Sequence, residues 1–175
     1  MSTQKRSTFF RRYTPSPKRV AQEFGPGKHE YFVCGECGAV YFKKSWHHNF
    51  RGSNVRGDKH VHFTQCPACA MIAQKKFEGE VLIDTSNISA KMREELVQHI
   101  RHVGEQAYAR DPMHRIIKLQ VQGSKSSIVR VTTTENQLAL RIGREVEKLL
   151  KGKGKKIVEF SREEDVVRVR WERTR

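Results

Sequence analysis

Four cysteines are the residues of this sequence whose type and spacing indicate a definite chemistry. They form two Cys-x-x-Cys pairs, Cys34 with Cys37 and Cys66 with Cys69, and residues 38–65 separate the pairs. In a protein without a secretory signal, this spacing indicates metal binding rather than disulfide bonds. Four thiolates that converge on one ion make a closed tetrahedral site, for which Zn²⁺ is the usual metal. We therefore expect one structural Zn²⁺ ion.

Iron is the alternative metal for these cysteines. The sequences Cys37-Gly and Cys66-Pro-x-Cys resemble the metal-binding turns of rubredoxins, which hold one iron ion for electron transfer. The strongly basic composition and the long segment after the cysteines favour zinc over a rubredoxin-like electron carrier. With four thiolates available, the histidines between the pairs are not needed as ligands: His47, His48, His60 and His62.

The segment around the cysteines, residues 30–76, is predicted to be a small β-rich unit, a zinc ribbon. The segments Tyr31 to Val33, Val40 to Phe42 and Val61 to Thr64 are rich in β-branched and aromatic residues, which is typical of short strands. We expect each cysteine pair to lie in a tight turn between strands, and Gly38 suits the left-handed backbone of the first turn. A core of this size contributes little free energy, so the unit is expected to unfold without metal.

Residues 77–175 show helix and strand periodicities. One helix is predicted to begin after Ser89, and a second after a capping box of Thr134 and Gln137. The predicted order β-α-β-β-α-β-β favours an α+β fold in which a split β-α-β (ferredoxin-like) two-layer sandwich with an added C-terminal strand follows the ribbon. Its strands are predicted at Glu80 to Ile83, Arg115 to Gln122, Ser127 to Thr133, Ile157 to Phe160 and Val166 to Trp171.

The composition is strongly basic. Lysine and arginine number 34 against 19 acidic residues, which gives a formal net charge of +15. Such a protein favours polyanionic partners, of which nucleic acid is the commonest. Residues 1–29 combine basic side chains with prolines and glycines, and contain too few apolar residues to fold alone. We expect this segment to be a disordered basic arm that lies along phosphates.

Basic side chains in three regions are candidates for contact with nucleic acid. The candidates in the arm are Arg11, Arg12, Lys18 and Arg19. Those between the cysteine pairs, with a tryptophan to stack on bases, are Lys43, Lys44, Trp46, Arg51, Arg56 and Lys59. The second helix, the glycine-rich loop after it and the polar face of the sheet contribute Arg130, Arg141, Arg144, Lys148, Lys151, Lys153, Lys155, Lys156, Arg168 and Arg170.

The sequence offers no catalytic constellation. It contains no phosphate-binding loop, nucleophile elbow, dinucleotide fingerprint or His-Glu-x-x-His motif, so we expect a protein that is not an enzyme. No apolar run reaches membrane-spanning length, and no apolar segment follows the basic N-terminal residues. We therefore expect a cytoplasmic protein without a membrane partner or a small-molecule substrate.

The order of the motifs resembles a family of small, uncharacterised bacterial zinc-ribbon proteins. After the cysteine pairs come Glu78-Gly-Glu, Val131-Thr-Thr-Thr, Leu138-Ala-x-Arg-Ile-Gly and Val167-Arg-Val-Arg-Trp, and the resemblance covers residues 30–173. The chain is more distantly similar to the N-terminal part of the archaeal and eukaryotic large-subunit export adaptor, nonsense-mediated decay protein three. That resemblance implies binding to rRNA or the ribosome. The adaptor has two zinc sites and further domains, so an export role is not implied.

These observations predict a nonenzymatic, zinc-containing RNA-binding protein that associates with rRNA or the ribosome during assembly, quality control or dormancy. The same charge is compatible with a second function, a zinc-ribbon DNA-binding or transcription-associated factor. A rubredoxin-like iron module is the third.

Overall fold

The computed structural model describes residues 31–48, 61–122, 127–161 and 165–173. The predicted arm lies outside the described residues, as do Arg51, Arg56 and Lys59. The described parts of the chain contain nine strands and three helices. In chain order they are β1 (Tyr31–Cys34), β2 (Val40–Phe42), β3 (Ser45–His47), β4 (Val61–Thr64), α1 (Pro67–Ala73), β5 (Gly79–Asp84), α2 (Ala90–Arg110), β6 (Ile116–Gln122), β7 (Ile128–Thr133), α3 (Asn136–Leu149), β8 (Gly154–Phe160) and β9 (Val167–Arg173).

The small sheet brings the two cysteine pairs to one edge. Its strand order is β3-β2-β1-β4, with β1 antiparallel to β2 and parallel to β4. Because β1 and β4 are parallel, Cys34 at the end of β1 is paired with Thr64 at the end of β4, two residues before Cys66. This register therefore places Cys66 and Cys69 close to Cys34 and Cys37.

The second cysteine pair is not in a turn between strands, as the sequence predicted, but at the start of helix α1. Cys66 is the N-cap residue, and its Sγ accepts a hydrogen bond from the backbone N–H of Cys69. Pro67 occupies the first turn, where a helix tolerates proline because the N–H there has no partner within the helix. The strand β3 is also an addition to the three predicted strands.

The large sheet has the order β6-β7-β5-β9-β8, and the predicted order of strands and helices after residue 77 is confirmed. Strand β7 lies between β5 and β6, so the unit formed by β5, α2 and β6 is split. The last strand, β9, lies inside the sheet and is parallel to β5, while β8 forms the edge. An alternating sequence does not distinguish these two positions, because both expose one face of the strand.

Helices α2 and α3 cover one face of the large sheet. Their apolar residues pack with the odd-numbered residues of β5, β7 and β9 in a single core, which includes Leu96, Ile100, Ile142, Val81 and Val169. Each of these five side chains is at most 1% exposed. Helix α2 begins after the predicted Ser89, whose Oγ accepts a hydrogen bond from the N–H of Met92.

The predicted capping box of α3 is wrong. The N-cap residue is Glu135, which makes no capping hydrogen bond through its side chain. The hydroxyl of Thr134 instead donates to the carbonyl of Met113 at 2.5 Å and accepts from the N–H of Arg115 at 2.9 Å. Because the hydroxyl of Thr134 bonds to the segment at Met113 and Arg115, it does not cap the helix. The buried Thr134 thereby connects the start of α3 to the segment before β6.

Helices α2 and α3 run antiparallel, so the start of each helix lies near the end of the other. Arg141 near the start of α3 contacts Gln106 near the end of α2, whereas Glu145 further along α3 contacts His99. Beyond α3, the carbonyl of Lys153 accepts a hydrogen bond from Asn87, just before α2. The 14 residues of α3 span about 21 Å. Within the described residues, no helix is long and apolar enough to cross a membrane.

Candidate metal centre

The four cysteines converge with the spacing that a metal ion requires. Their Sγ atoms all lie within 4.8 Å of one another, and those of Cys37 and Cys66 are 3.7 Å apart. A tetrahedral ion with metal–sulfur bonds near 2.3 Å places two sulfurs about 3.8 Å apart, whereas a disulfide needs about 2.05 Å. All four cysteines are free. The arrangement of Cys34, Cys37, Cys66 and Cys69 therefore fits a four-thiolate metal site.

Backbone donors around the sulfurs prepare the site for negative charge. The N–H of Cys66 donates to the Sγ of Cys34 at 3.3 Å, and the N–H of Cys69 donates to the Sγ of Cys66 at 3.4 Å. Gly38, at φ 71°, takes the predicted left-handed conformation after the first pair. These bonds depend on the first turn and on the start of α1, so local structure holds the sulfurs together.

Burial and hydrogen bonds oppose each other in setting the acidity of the thiols. Burial would raise the pKa of Cys34, but the backbone N–H groups of Cys66, Cys37 and Glu36 lower it to about 6. Burial raises the pKa of Cys66 and Cys69; the sulfurs of Cys34 and Cys37 add to this effect in both, whereas the hydrogen bond with Cys66 opposes it in Cys69. Four thiolates at this distance repel one another, so their joint ionisation needs a cation among them.

Arg115 joins the cysteine cluster to the large sheet, and sequence reasoning missed this residue. Its Nη1 donates to the Sγ of Cys69 at 3.4 Å, its Nε donates to the carbonyl of Pro112 at 2.8 Å, and its guanidinium lies 5.0 Å from the ring centre of Tyr108. Burial would lower the pKa of Arg115, but the hydrogen bond and charge of Cys37 and the charges of the other thiols raise it. Its position at the start of a strand gave no signal of this role.

Other contacts fix the cysteine cluster against the same end of the large unit. Met113 packs against the apolar residues around the sulfurs. The ring of His48 meets the ring of Tyr108 edge-on, with centres 4.7 Å apart, and its Nε2 donates to the carbonyl of Tyr108. Among the described residues the only group of possible metal ligands is the four cysteines, so His47, His48 and His62 are outside it.

The candidate nucleic-acid-binding residues of the small sheet differ in exposure. Lys43 and Lys44 are exposed in the turn between β2 and β3. Trp46 is only 7% exposed and packs against Tyr41 at a ring separation of 5.4 Å. The expectation that Trp46 stacks on bases is therefore wrong, because its ring is part of the core around the cysteines.

The polar face of the large sheet is less positive than the sequence indicated. Arg130 and Arg168 both pair with the buried carboxylate of Glu80, at 2.7 and 3.4 Å. Arg170 pairs with Glu159 at 3.4 Å. The sheet register brings these residues together from separate strands, and a sequence pattern of single strands does not show such pairs.

The basic residues on and after α3 divide into two groups. Arg141 donates to the side-chain oxygen of Gln106, and Lys148 and Lys156 pair with Glu145 and Glu147. Glu145 and Glu147 therefore neutralise part of the positive charge that the sequence placed on and after this helix. Four cations are exposed and make no ion pair within the described residues, and we call them the α3 cation group: Arg144, Lys151, Lys153 and Lys155.

The start of α3 carries a carboxyl group with an altered pKa, and a pH-dependent stability follows. Burial, together with the charges of Glu78 and Asp111, raises the pKa of Glu135 from 4.5 to about 7. Folding is therefore favoured below pH 4.5, and this contribution is lost as the pH rises to about 7. Glu135→Gln is expected to raise the free energy of unfolding by about 1–3 kcal/mol at pH 8 and little at pH 5.

Denaturation at the two pH values checks this expectation, with Glu145→Gln as the control. The hydrogen bond from Lys148 lowers the pKa of Glu145, so its replacement should reduce stability at pH 8. An equal effect of Glu135→Gln at pH 5 and pH 8 would contradict the assignment.

Comparison of the chain with protein-family models, with curated proteins and with solved structures gives no match.

Proposed function

We propose that this protein is a nonenzymatic RNA-binding protein with one structural zinc ion, and that it associates with rRNA or a ribosomal subunit in assembly, quality control or dormancy. The observation that carries the proposal is the α3 cation group, which remains without carboxylate partners in the described structure of a chain with net charge +15. The sequence resemblance supports the ribosomal partner.

Zinc suits the cysteine cluster because four thiolates leave no position for a substrate or a reacting water. The role of such an ion is to hold the small sheet, α1 and the Arg115 loop in one arrangement. A rubredoxin-like iron site would use the same four sulfurs. Purified protein with one equivalent of zinc and no visible absorption band is expected; a red iron protein would contradict the assignment.

The cations lie far enough apart to follow an extended polyanion. The lysines after α3 are at the end of the helix opposite the cysteine cluster, because Thr134 and Arg115 meet at its start. Lys43 and Lys44 belong to the cluster's own sheet. The length of α3, about 21 Å, therefore lies between the lysines after the helix and the end of the large unit that contacts the cysteine cluster. Counterion release from RNA phosphates is the driving force that such a distribution offers.

Salt titration of RNA binding tests the proposal. If about six phosphates are neutralised, log affinity against log salt is expected to fall with a slope near −4 to −5. Replacing Lys151, Lys153 and Lys155 by glutamine should make the slope less negative by about 2–3. As a control, Lys148→Gln with Lys156→Gln removes lysines that are already paired with glutamate, and should have a smaller effect per lysine.

Two results would contradict the proposal. An affinity that does not depend on salt would remove the electrostatic basis of binding. A preference for duplex DNA over a structured rRNA fragment of equal length would favour the DNA-binding or transcription-associated factor.

A further inference from the structure

The small sheet has an aromatic face on the side opposite the cysteines. In the register of the sheet, Phe32 lies beside Tyr41 and His62, on the same face as Cys34. The alternate residues of β1, β2 and β4 point the other way, since successive side chains of a strand alternate between faces. We call this side the aromatic face, and its rings are Tyr31, Phe42 and Phe63.

Phe63 is displayed on this face rather than packed. It is 79% exposed and is the most exposed of the large apolar side chains among the described residues. On the neighbouring strands, the rings of Tyr31 and Phe42 stack with centres 5.1 Å apart and an interplanar angle of 16°. Strands β4 and β2 are each one position from β1, so Phe63 lies about 10 Å from the strand of Phe42.

Two lysines at the edge of the aromatic face occupy an unfavourable backbone conformation. Lys43 and Lys44 form the two-residue turn between β2 and β3, with φ of 51° and 65°. A hairpin turn with both central φ values positive favours Asn-Gly, because side chains beyond asparagine are strained there. The ammonium of Lys43 lies 5.3 Å from the ring centre of Phe42. The chain thus places two cations at the Phe42 end of the aromatic face at a conformational cost.

We propose that the aromatic face binds unpaired nucleotides of RNA, with a base stacked on Phe63 and phosphates further along the same RNA strand held across the sheet by Lys43 and Lys44. This inference rests on the proposed function and specifies its substrate as single-stranded RNA. Exposed rings bind bases of any sequence through their faces, and nearby cations hold the backbone. A duplex hides the faces of its bases, so it cannot use Phe63 in this way.

The first test compares Phe63→Ala with the matched variant Phe160→Ala. Phe160 is also exposed, at 62%, but lies on the edge strand of the large sheet. The probe is a single-stranded 12-nucleotide oligo(A) that contains one 2-aminopurine, with a 12-base-pair RNA duplex as the comparison. Phe63→Ala is expected to weaken single-strand binding about 5- to 150-fold and Phe160→Ala to leave it unchanged.

Two readouts separate stacking from charge. Stacking releases no counterions, so the salt slope of Phe63→Ala should equal that of the wild type. The fluorescence of 2-aminopurine should be quenched by the wild type and by Phe63→Tyr, but not by Phe63→Ala. Zinc content, measured for each variant, verifies that the small sheet is intact.

A second variant tests the lysine turn independently. Lys43→Asn with Lys44→Gly is expected to make the single-strand salt slope less negative by about 1.4. The same change should raise the melting temperature of the zinc-bound small sheet by about 4–8 °C, because it removes the strained conformation. Lys75→Gly is the control, since Lys75 is also at positive φ, 57°, but follows the end of α1 and is not part of the turn between β2 and β3. Lys75→Gly should stabilise the protein and change the salt slope by no more than about 0.7, the value for one phosphate contact.

The outcomes distinguish this inference from the proposed function. If the wild type binds rRNA with the expected salt slope but Phe63→Ala binds the single strand as Phe160→Ala does, the inference is wrong and the function stands. Equal affinity for duplex and single strand also overturns it. If the wild type binds no RNA, the proposed function fails. If Phe63→Ala loses its zinc, the inference is tested by two other results. These are the salt slope of Lys43→Asn with Lys44→Gly, and the quenching of 2-aminopurine by the wild type and by Phe63→Tyr.

Discussion

Removal of the metal is expected to unfold the small sheet and α1 while the large sheet and its two helices remain folded. Cysteines are half of the buried apolar residues around the site; the others are Ala39, Trp46 and Ala68. Structural zinc sites contribute roughly 10–16 kcal/mol of apparent binding free energy, which so small a core cannot replace. The core under the large sheet contains no cysteine.

The two tryptophans allow the two parts to be followed separately. Trp46 is buried beside the cysteine cluster and Trp171 is buried in β9, and the chain has no other tryptophan. In Trp171→Phe, the emission of Trp46 should shift to longer wavelength when a chelator is added. In Trp46→Phe, the emission of Trp171 should change little. An unchanged emission from Trp46 in metal-free protein would contradict a folding role for the metal.

Replacing Arg115 is expected to give the second large effect. Arg115→Met keeps much of the apolar length of the side chain but removes the guanidinium that donates to Cys69. A Zn²⁺ ion held by the four thiolates, as proposed above, would then lack this compensating positive charge, and we expect the loss of zinc to a competing chelator to become about 10- to 100-fold more favourable. Stability should fall by about 1–3 kcal/mol, since a partly buried charge pair is broken.

Arg115→Lys is the matched control because it preserves the charge and removes the planar fork. A lysine cannot donate to Pro112 and Cys69 in the same arrangement and stacks less well on Tyr108. We expect Arg115→Lys to retain part of the zinc affinity. The contacts of Arg115 with Pro112 and Tyr108, which connect the site to the large sheet, should be lost. Equal zinc retention in the wild type and in Arg115→Met would show that Arg115 does not support the site.

Local patterns predicted much of the fold. The apolar spacing of α2 and the cap at Ser89 depend on neighbouring residues in the chain, and both are found as predicted. The cysteine spacing likewise predicted that Cys34, Cys37, Cys66 and Cys69 converge, because Cys-x-x-Cys turns place two sulfurs on one side of a short loop.

Interactions between distant segments explain the predictions that were wrong. Trp46 is a core residue because β2 and β3 turn its ring toward the cysteines, and Thr134 leaves the predicted capping box because the segment at Arg115 competes for its hydroxyl. Glu80 neutralises arginines from β7 and β9 that only the sheet brings to it. These partners are separated by tens of residues, so no local pattern indicates them.

The exposed rings illustrate the same limit in the search for function. The sequence predicted Trp46 as the base-stacking aromatic residue. The structure instead exposes Phe63 on β4, at the opposite edge of the small sheet from the strained turn of Lys43 and Lys44. The four-residue strand β4 alternates, so its sequence does not indicate whether Phe63 faces the core or solvent. The structure decides this, because the cysteines lie on the other face of the small sheet.

Capture of the tagged, zinc-bound protein from cell lysate at low and at high salt tests the central proposal most directly, with sequencing of the bound RNA and identification of the accompanying proteins. We predict that rRNA and ribosomal proteins of one subunit are recovered at low salt and lost at high salt, and that replacement of Lys151, Lys153 and Lys155 reduces the recovery. Recovery of DNA with polymerase, or of no nucleic acid at low salt, would contradict the proposed function.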